Sequence, residues 1–148
     1  MKANEMGARV NQSGFTLIEL VVVITILGIL AAFAVPRFVA LDTQARVAAQ
    51  SALAGSVRSA AALSHALWLA QGQPPTVTVD GQVITITNGY PNVASLPNTL
   101  SDFSGYGYAA SGGNGVFTRS AGPGCTVTYA PAAAGAAPVV TVGLPATC

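Results

Sequence analysis

A chain of 148 residues is long enough for one domain with a moderate core. Hydrophobic residues make up 51% of it and charged residues 7%, against roughly 25% charged in an ordinary soluble protein, which excludes a disordered polyelectrolyte. A net charge of +1 supplies no field for neutralising phosphates, so no nucleic-acid partner is expected; what remains is a membrane protein or one packed against copies of itself.

Residues 1–14 carry Lys2, Glu5 and Arg9. From 15 to 35 follow 21 residues of which only Thr16, Glu19, Thr25 and Gly28 are not apolar. As a helix rising about 1.5 Å per residue this stretch is about 31 Å long, the depth of a bilayer core. The basic residues ahead of it place its start in the cytoplasm and the rest of the chain on the exported side. A cleavable secretory signal is the ordinary alternative, and Ala31-Ala32-Phe33-Ala34 weakly mimics its cleavage site. Against it, the apolar run exceeds the usual signal core and leads into Pro36, Arg37 and further helix.

Glu19 stands out within that run. A carboxylate inside a spanning helix costs about 2.5–3.5 kcal/mol even on a lenient insertion scale. It either snorkels to the headgroups or needs a cation, and no Lys or Arg lies between residues 10 and 36. A cut before Phe15 would create an α-amino group one turn away, or on a neighbouring copy.

The string Ser13-Gly14-Phe15-Thr16-Leu17-Ile18-Glu19-Leu20 resembles the class III signal of type IV prepilins and pseudopilins. The resemblance covers residues 7–60 and implies a leader of residues 1–14, cut between Gly14 and Phe15 by a prepilin peptidase. It further implies N-methylation of Phe15 by the same enzyme, and Glu19 as the group that guides assembly. Gly28 and Pro36 fall at the family's helix-weakening positions. The partners so implied are an assembly platform, the inner membrane and copies of this chain. Before assembly the protein would sit in the inner membrane with a periplasmic head; afterwards it would be part of an extracellular pilus. The physics agrees: Gly14 offers a peptidase no side chain to avoid. A buried amine–carboxylate pair sets stagger more than stability, because a wrong register strands a charge.

The helix is predicted to continue through 37–71, after a membrane segment over 15–36. Leu53, Val57, Ala60, Ala61, Leu67 and Trp68 recur at three-to-four-residue spacing and form one apolar face. Asp42 and Arg46 form an i,i+4 pair, and Gln50 extends their polar stripe, so packing is expected only beyond Gln50. Pro36 removes one backbone hydrogen bond and should kink or weaken the helix; Gly28 is about 1 kcal/mol less helical than Ala. The many alanines permit close helix contact or simply favour helix. His65 stands alone and makes no metal site, and Trp68 reads as a core residue.

Residues 72–148 hold twenty of the chain's Gly and Pro residues and read as a β-rich head. The boundary falls at 71–75. Thr76-Val77-Thr78-Val79 and Gln82-Val83-Ile84-Thr85-Ile86-Thr87 flank Asp80-Gly81, a type I′ hairpin signal that sets Val77 opposite Ile84. Cys125-Thr126-Val127-Thr128-Tyr129 and Val139-Val140-Thr141-Val142 give two more strands, and Gly112-Gly113-Asn114-Gly115 reads as a surface turn. The expected fold class is α+β: a long N-terminal helix, apolar then amphipathic, with one small antiparallel sheet packed on its exported half.

Cys125 and Cys148 are the only cysteines, and an oxidising periplasm favours a bridge between them over two buried thiols. Closing that segment would contribute about 3–3.5 kcal/mol on the chain-entropy account. The pair also resembles the C-terminal disulfide-bounded loop of many major pilins. Gly89-Tyr90-Pro91 with Cys125-Thr126-Val127-Thr128-Tyr129 is similar to pilins of mannose-sensitive haemagglutinin pili.

No catalytic constellation, cofactor motif or phosphate loop is visible, so an enzyme is not expected. Asp80 and Asp102 are too isolated for a calcium site. The reading is therefore a structural subunit of a type IV pilus, used in surface attachment. A pseudopilin of a type II secretion machine or a minor pilin is the alternative within the family. A membrane-anchored adhesin that never polymerises is the alternative outside it, with Phe103, Tyr106 and Tyr108 as its candidate platform.

Overall fold

The computed structural model describes residues 14–120 and 124–143. One helix, α1, runs over Leu17–Ala70, and seven strands follow: β1 (Thr76–Val79), β2 (Gln82–Thr87), β3 (Tyr90–Pro91), β4 (Tyr106–Ser111), β5 (Asn114–Arg119), β6 (Thr126–Ala130) and β7 (Val139–Val142). A 3₁₀ turn at Leu96–Thr99 separates β3 from β4. The chain divides into two compact units, one ending at Ala40 and the other beginning at Leu41.

In the first unit α1 continues through Gly28 and Pro36, so the proline does not end the helix. Phe15, Leu17, Ile18, Leu20 and the large apolar residues through Val35 are all exposed. The helix is long and apolar enough to cross a membrane by length and composition.

The second unit holds the core. From Gln50 onward α1 buries residues at helical spacing: Gln50, Leu53, Ala54, Val57, Ala61 and Ser64. Leu53, Ala54, Val57 and Ala61 pack with Leu96 and with Phe117, Val127, Tyr129 and Val140 of the later strands. A second cluster joins Val77, Val79 and Ile84 to Leu67 and Trp68 of α1. The apolar face expected from the sequence is the face that is used. Gln50 is the correction: it is not part of a solvated polar stripe but is fully buried, the first residue of the buried row.

The strands form two antiparallel sheets rather than the one expected, a three-stranded β1-β2-β3 and a four-stranded β4-β5-β6-β7. The hairpin register at Val77↔Ile84 is as the Asp-Gly turn requires. Asp80 and Gly81 have φ of 47° and 78°, both positive as a type I′ turn demands. The same geometry recurs at Asn88-Gly89, joining β2 to β3, and at Gly112-Gly113, joining β4 to β5. The expected surface turn at 112–115 is thus shorter, because Asn114 and Gly115 already belong to β5.

Side-chain bonds to backbone carbonyls tie the sheets together. Tyr129 Oη donates to Pro91 O at 2.8 Å and Tyr108 Oη donates to Val93 O. Burial raises Tyr129 to about 12, and the nearby Tyr108 and Tyr90 add to the shift; burial also raises Tyr108. Both hydroxyls are therefore donors over the whole physiological range.

Candidate functional site

The start of α1 carries the most specific chemistry. Thr16 precedes the first helical residue, and Glu19 stands three residues on, which are the positions of a capping box. Thr16 N donates to Glu19 Oε2 at 2.8 Å, and the Thr16 hydroxyl donates to the same oxygen at 2.7 Å. In return Glu19 N lies 3.3 Å from Thr16 Oγ1. The carboxylate sits on the helix's first turn, where the aligned peptide dipoles favour negative charge. Its second oxygen, Oε1, has no partner among the described residues. An unpaired Glu19 in search of a cation is thus only part of the account. The Thr-x-x-Glu pattern was present in the sequence, and Thr16 is the residue that reasoning from charge alone passes over.

Apart from Thr16, the described residues beside this carboxylate are apolar and exposed. Phe15 is 88% exposed and Ile18 66%. With Glu19, Val22 and Val23 they line a shallow apolar concavity of about 340 Å³. Gly14 has no neighbour near the place a Cβ would occupy, nor has Gly28. Among the described residues, neither glycine serves packing.

The remaining candidates are placed as follows. Pro36 lies within α1. Cys125 is fully buried just before β6. Cys148, the second cysteine of the expected bridge, and residues 1–13 lie outside the described residues. Among the described residues no group of His, Cys, Asp and Glu could hold a metal ion. His65 Nδ1 instead lies 2.7 Å from Gly89 O.

The aromatic platform expected at Phe103, Tyr106 and Tyr108 is not an exposed shelf. All three are half-buried against the larger core. Phe103 and Tyr108 pack on the Phe117 ring, with centroids 5.5 Å and 4.7 Å away. Tyr108 lies across Gly115, where even a methyl group would collide with its ring. These rings fill a core, and a second group of half-buried rings stacks at His65, Trp68 and Tyr90.

Residues 9–35 match the family described as the prokaryotic N-terminal methylation motif. The type IV narrow pilus major component PilA5 of Thermus thermophilus is 61% identical over 51 residues, 34% of this chain and 44% of that protein. The type IV major pilin PilE1 of Neisseria gonorrhoeae is 38% identical over 89 residues, 53% of this chain and 41% of that protein. The type II secretion system core protein G of Pseudomonas aeruginosa is 59% identical over 39 residues, 26% of this chain and 28% of that protein. The chain therefore spans less than half the length of each of these relatives. No solved structure matches it. The methylation motif thus opens a long apolar helix, and over that N-terminal segment the chain is similar to type IV pilus components and to a type II secretion core protein.

Proposed function

We propose that this chain is a structural subunit of a type IV pilus, cut between Gly14 and Phe15, N-methylated at Phe15 and polymerised through the apolar part of α1. The observation that carries the reading is the pairing of an uncovered apolar helix with one carboxylate at its first turn. An apolar face of that extent is stable only in a bilayer or against other chains. The membrane holds it before assembly and neighbouring copies hold it afterwards. The prepilin peptidase, the assembly platform and the inner membrane are the partners this route requires.

Glu19 has two jobs that its two oxygens separate. Oε2 closes the capping box with Thr16, which fixes the side chain before any neighbour arrives. Oε1 is left for the α-amino group of Phe15 on an adjacent copy. In an apolar medium such a pair sets the stagger of subunits, since any other register leaves both charges unpaired. Gly28 and Pro36 are places where the helix can loosen in the fibre, as each lowers helical stability. A Cys125–Cys148 bridge would close the C-terminal segment, and the fibre would serve surface attachment.

Mass spectrometry of sheared surface fibres tests the reading. The expected chain begins at methylated Phe15 and dominates the sample. Fibres carrying an intact 1–14 segment would overturn it. Trace abundance, with secretion lost on deletion, would favour a pseudopilin, the reading supported by the match to core protein G.

A further inference from the structure

Along one face of α1 stand Arg58, Ala61, Ala62, His65 and Trp68, spaced three or four residues apart so that they line up. Two adjoining cavities lie over this row, of about 170 Å³ at Arg58 and about 450 Å³ at His65 and Trp68. Tyr90 and Ala137 line both, so the two make one groove. At its wider end three rings are stacked. His65 and Tyr90 lie 4.3 Å apart and 6° from parallel, and His65 and Trp68 lie 5.6 Å apart. Gly89 is buried against His65 and Trp68 so closely that a Cβ there would come within 3.0 Å of the indole.

The opposite wall is the loop at 134–137, whose side chains are no larger than methyl. Small side chains leave the space over the rings empty instead of filling it. The loop is nevertheless pinned. Asn88 Nδ2 donates to Ala132 O at 2.8 Å, Ala136 N donates to Ala133 O at 3.0 Å, and Pro131 and Pro138 bracket the segment. A cavity with held walls, aromatic lining and few polar groups is the usual form of a small-ligand site.

The polar groups select among ligands. His65 Nδ1 must donate to the Gly89 carbonyl, which leaves Nε2 an acceptor in the neutral ring. Asn88 spends its amide nitrogen on Ala132 and keeps Oδ1. Arg58 Nη2 donates to Val140 O at 2.9 Å, and among the described residues no carboxylate pairs with the guanidinium. Stacking rings, two acceptors for hydroxyl donors and an unpaired guanidinium describe one chemistry. We propose that this groove binds an acidic saccharide unit, its C–H face on the rings, its hydroxyls on His65 and Asn88, and its carboxylate on Arg58. The site goes beyond the role of a fibre subunit and does not depend on it.

Trp68 is the only tryptophan, so its fluorescence reports directly on the groove. The full chain in detergent micelles is titrated with oligogalacturonate, with the neutral oligogalactose counterpart, and with benzoate. The expected result is a saturable change with oligogalacturonate and at least about tenfold weaker binding of the other two. Ala136→Phe, at an exposed loop position, fills the groove and should weaken oligogalacturonate by about tenfold or more. Arg58→Gln should erase the preference for acid over neutral sugar. No saturable change, equal binding of the neutral sugar or of benzoate, or full binding by Ala136→Phe would each overturn the proposal. Because unassembled chain is measured, this result is read apart from fibre formation.

Discussion

Thr16 and Glu19 share their hydrogen bonds within a single chain, so the cap and the charge of Glu19 can be tested separately. Glu19→Ala removes both and should leave cleavage largely intact while abolishing fibres. Glu19→Gln keeps an oxygen for Thr16 but no negative charge, and it too should assemble poorly. Thr16→Val weakens only the cap, by about 1 kcal/mol, and should still assemble. Electron microscopy of surface fibres reads all three, and normal piliation by Glu19→Gln would sink the charge-pairing account. At Tyr129 the residue scale gives a pH dependence. Its phenol is raised from about 10 in an unfolded chain to about 12, so folding favours the neutral form. That contribution is whole below about pH 10 and is lost as pH rises towards 12. Denaturant midpoints measured from pH 8 to 12 should fall less steeply in Tyr129→Phe than in the parent chain. The variant should start about 1 kcal/mol lower through loss of the Pro91 bond. Equal slopes would show that Tyr129 titrates normally.

The elements differ in how well the sequence announces them, and Gln50 shows why. Arg46 and Asp42 stand one and two turns before it, so the sequence pattern places its amide on a solvated polar stripe. The structure places it at the head of the buried row, with neither amide atom partnered among the described residues. An unpaired buried amide costs about 1–3 kcal/mol, so Gln50→Met, close in shape, should raise the melting temperature. A lowered value would mean the amide is satisfied by a group that Met cannot replace. Polarity read along one helix thus fails where packing is decided by strands far off in sequence. The β1–β2 hairpin was legible to its register, since β-branched residues alternate around Asp-Gly. The β4–β5 hairpin was not. Its buried positions on β5 are Gly115 and Phe117, and a glycine covered by the Tyr108 ring leaves no mark in a hydropathy pattern. Asn88-Gly89 and Gly112-Gly113 did carry the turn signal. What hid the flanking strands was the shortness of β3, two residues, and the Gly-Ala-Ser content of β4. At the N-terminus Thr16 and Glu19 stand in the sequence at capping-box spacing, whereas the groove at Trp68 exists only because α1, β3 and the loop at 134–137 meet.

Charge and apolar surface are distributed so differently over the molecule that they predict how fibres of the proposed subunit would respond to solvent. Residues 15–148 contain four acidic and four basic side chains. The ion pair among the described residues, Arg46 to Asp42 at 2.7 Å, lies within one helix and contributes nothing between copies. Exposed charges on different copies are screened within about 3 Å at 1 M salt. The apolar residues from Phe15 to Leu41 are not, and excluded salts strengthen such burial. A Phe15 amine on a neighbouring Glu19 would lie inside that apolar layer, beyond the reach of screening ions. Sheared fibres should therefore stay sedimentable in about 1 M sodium chloride and be tightened by sulfate. Detergent, which offers the same helices another apolar medium, should disperse them to single chains. Fibres that fell apart in salt but withstood detergent would show instead that the sparse surface charges hold the copies together, and polymerisation through α1 would have to be abandoned.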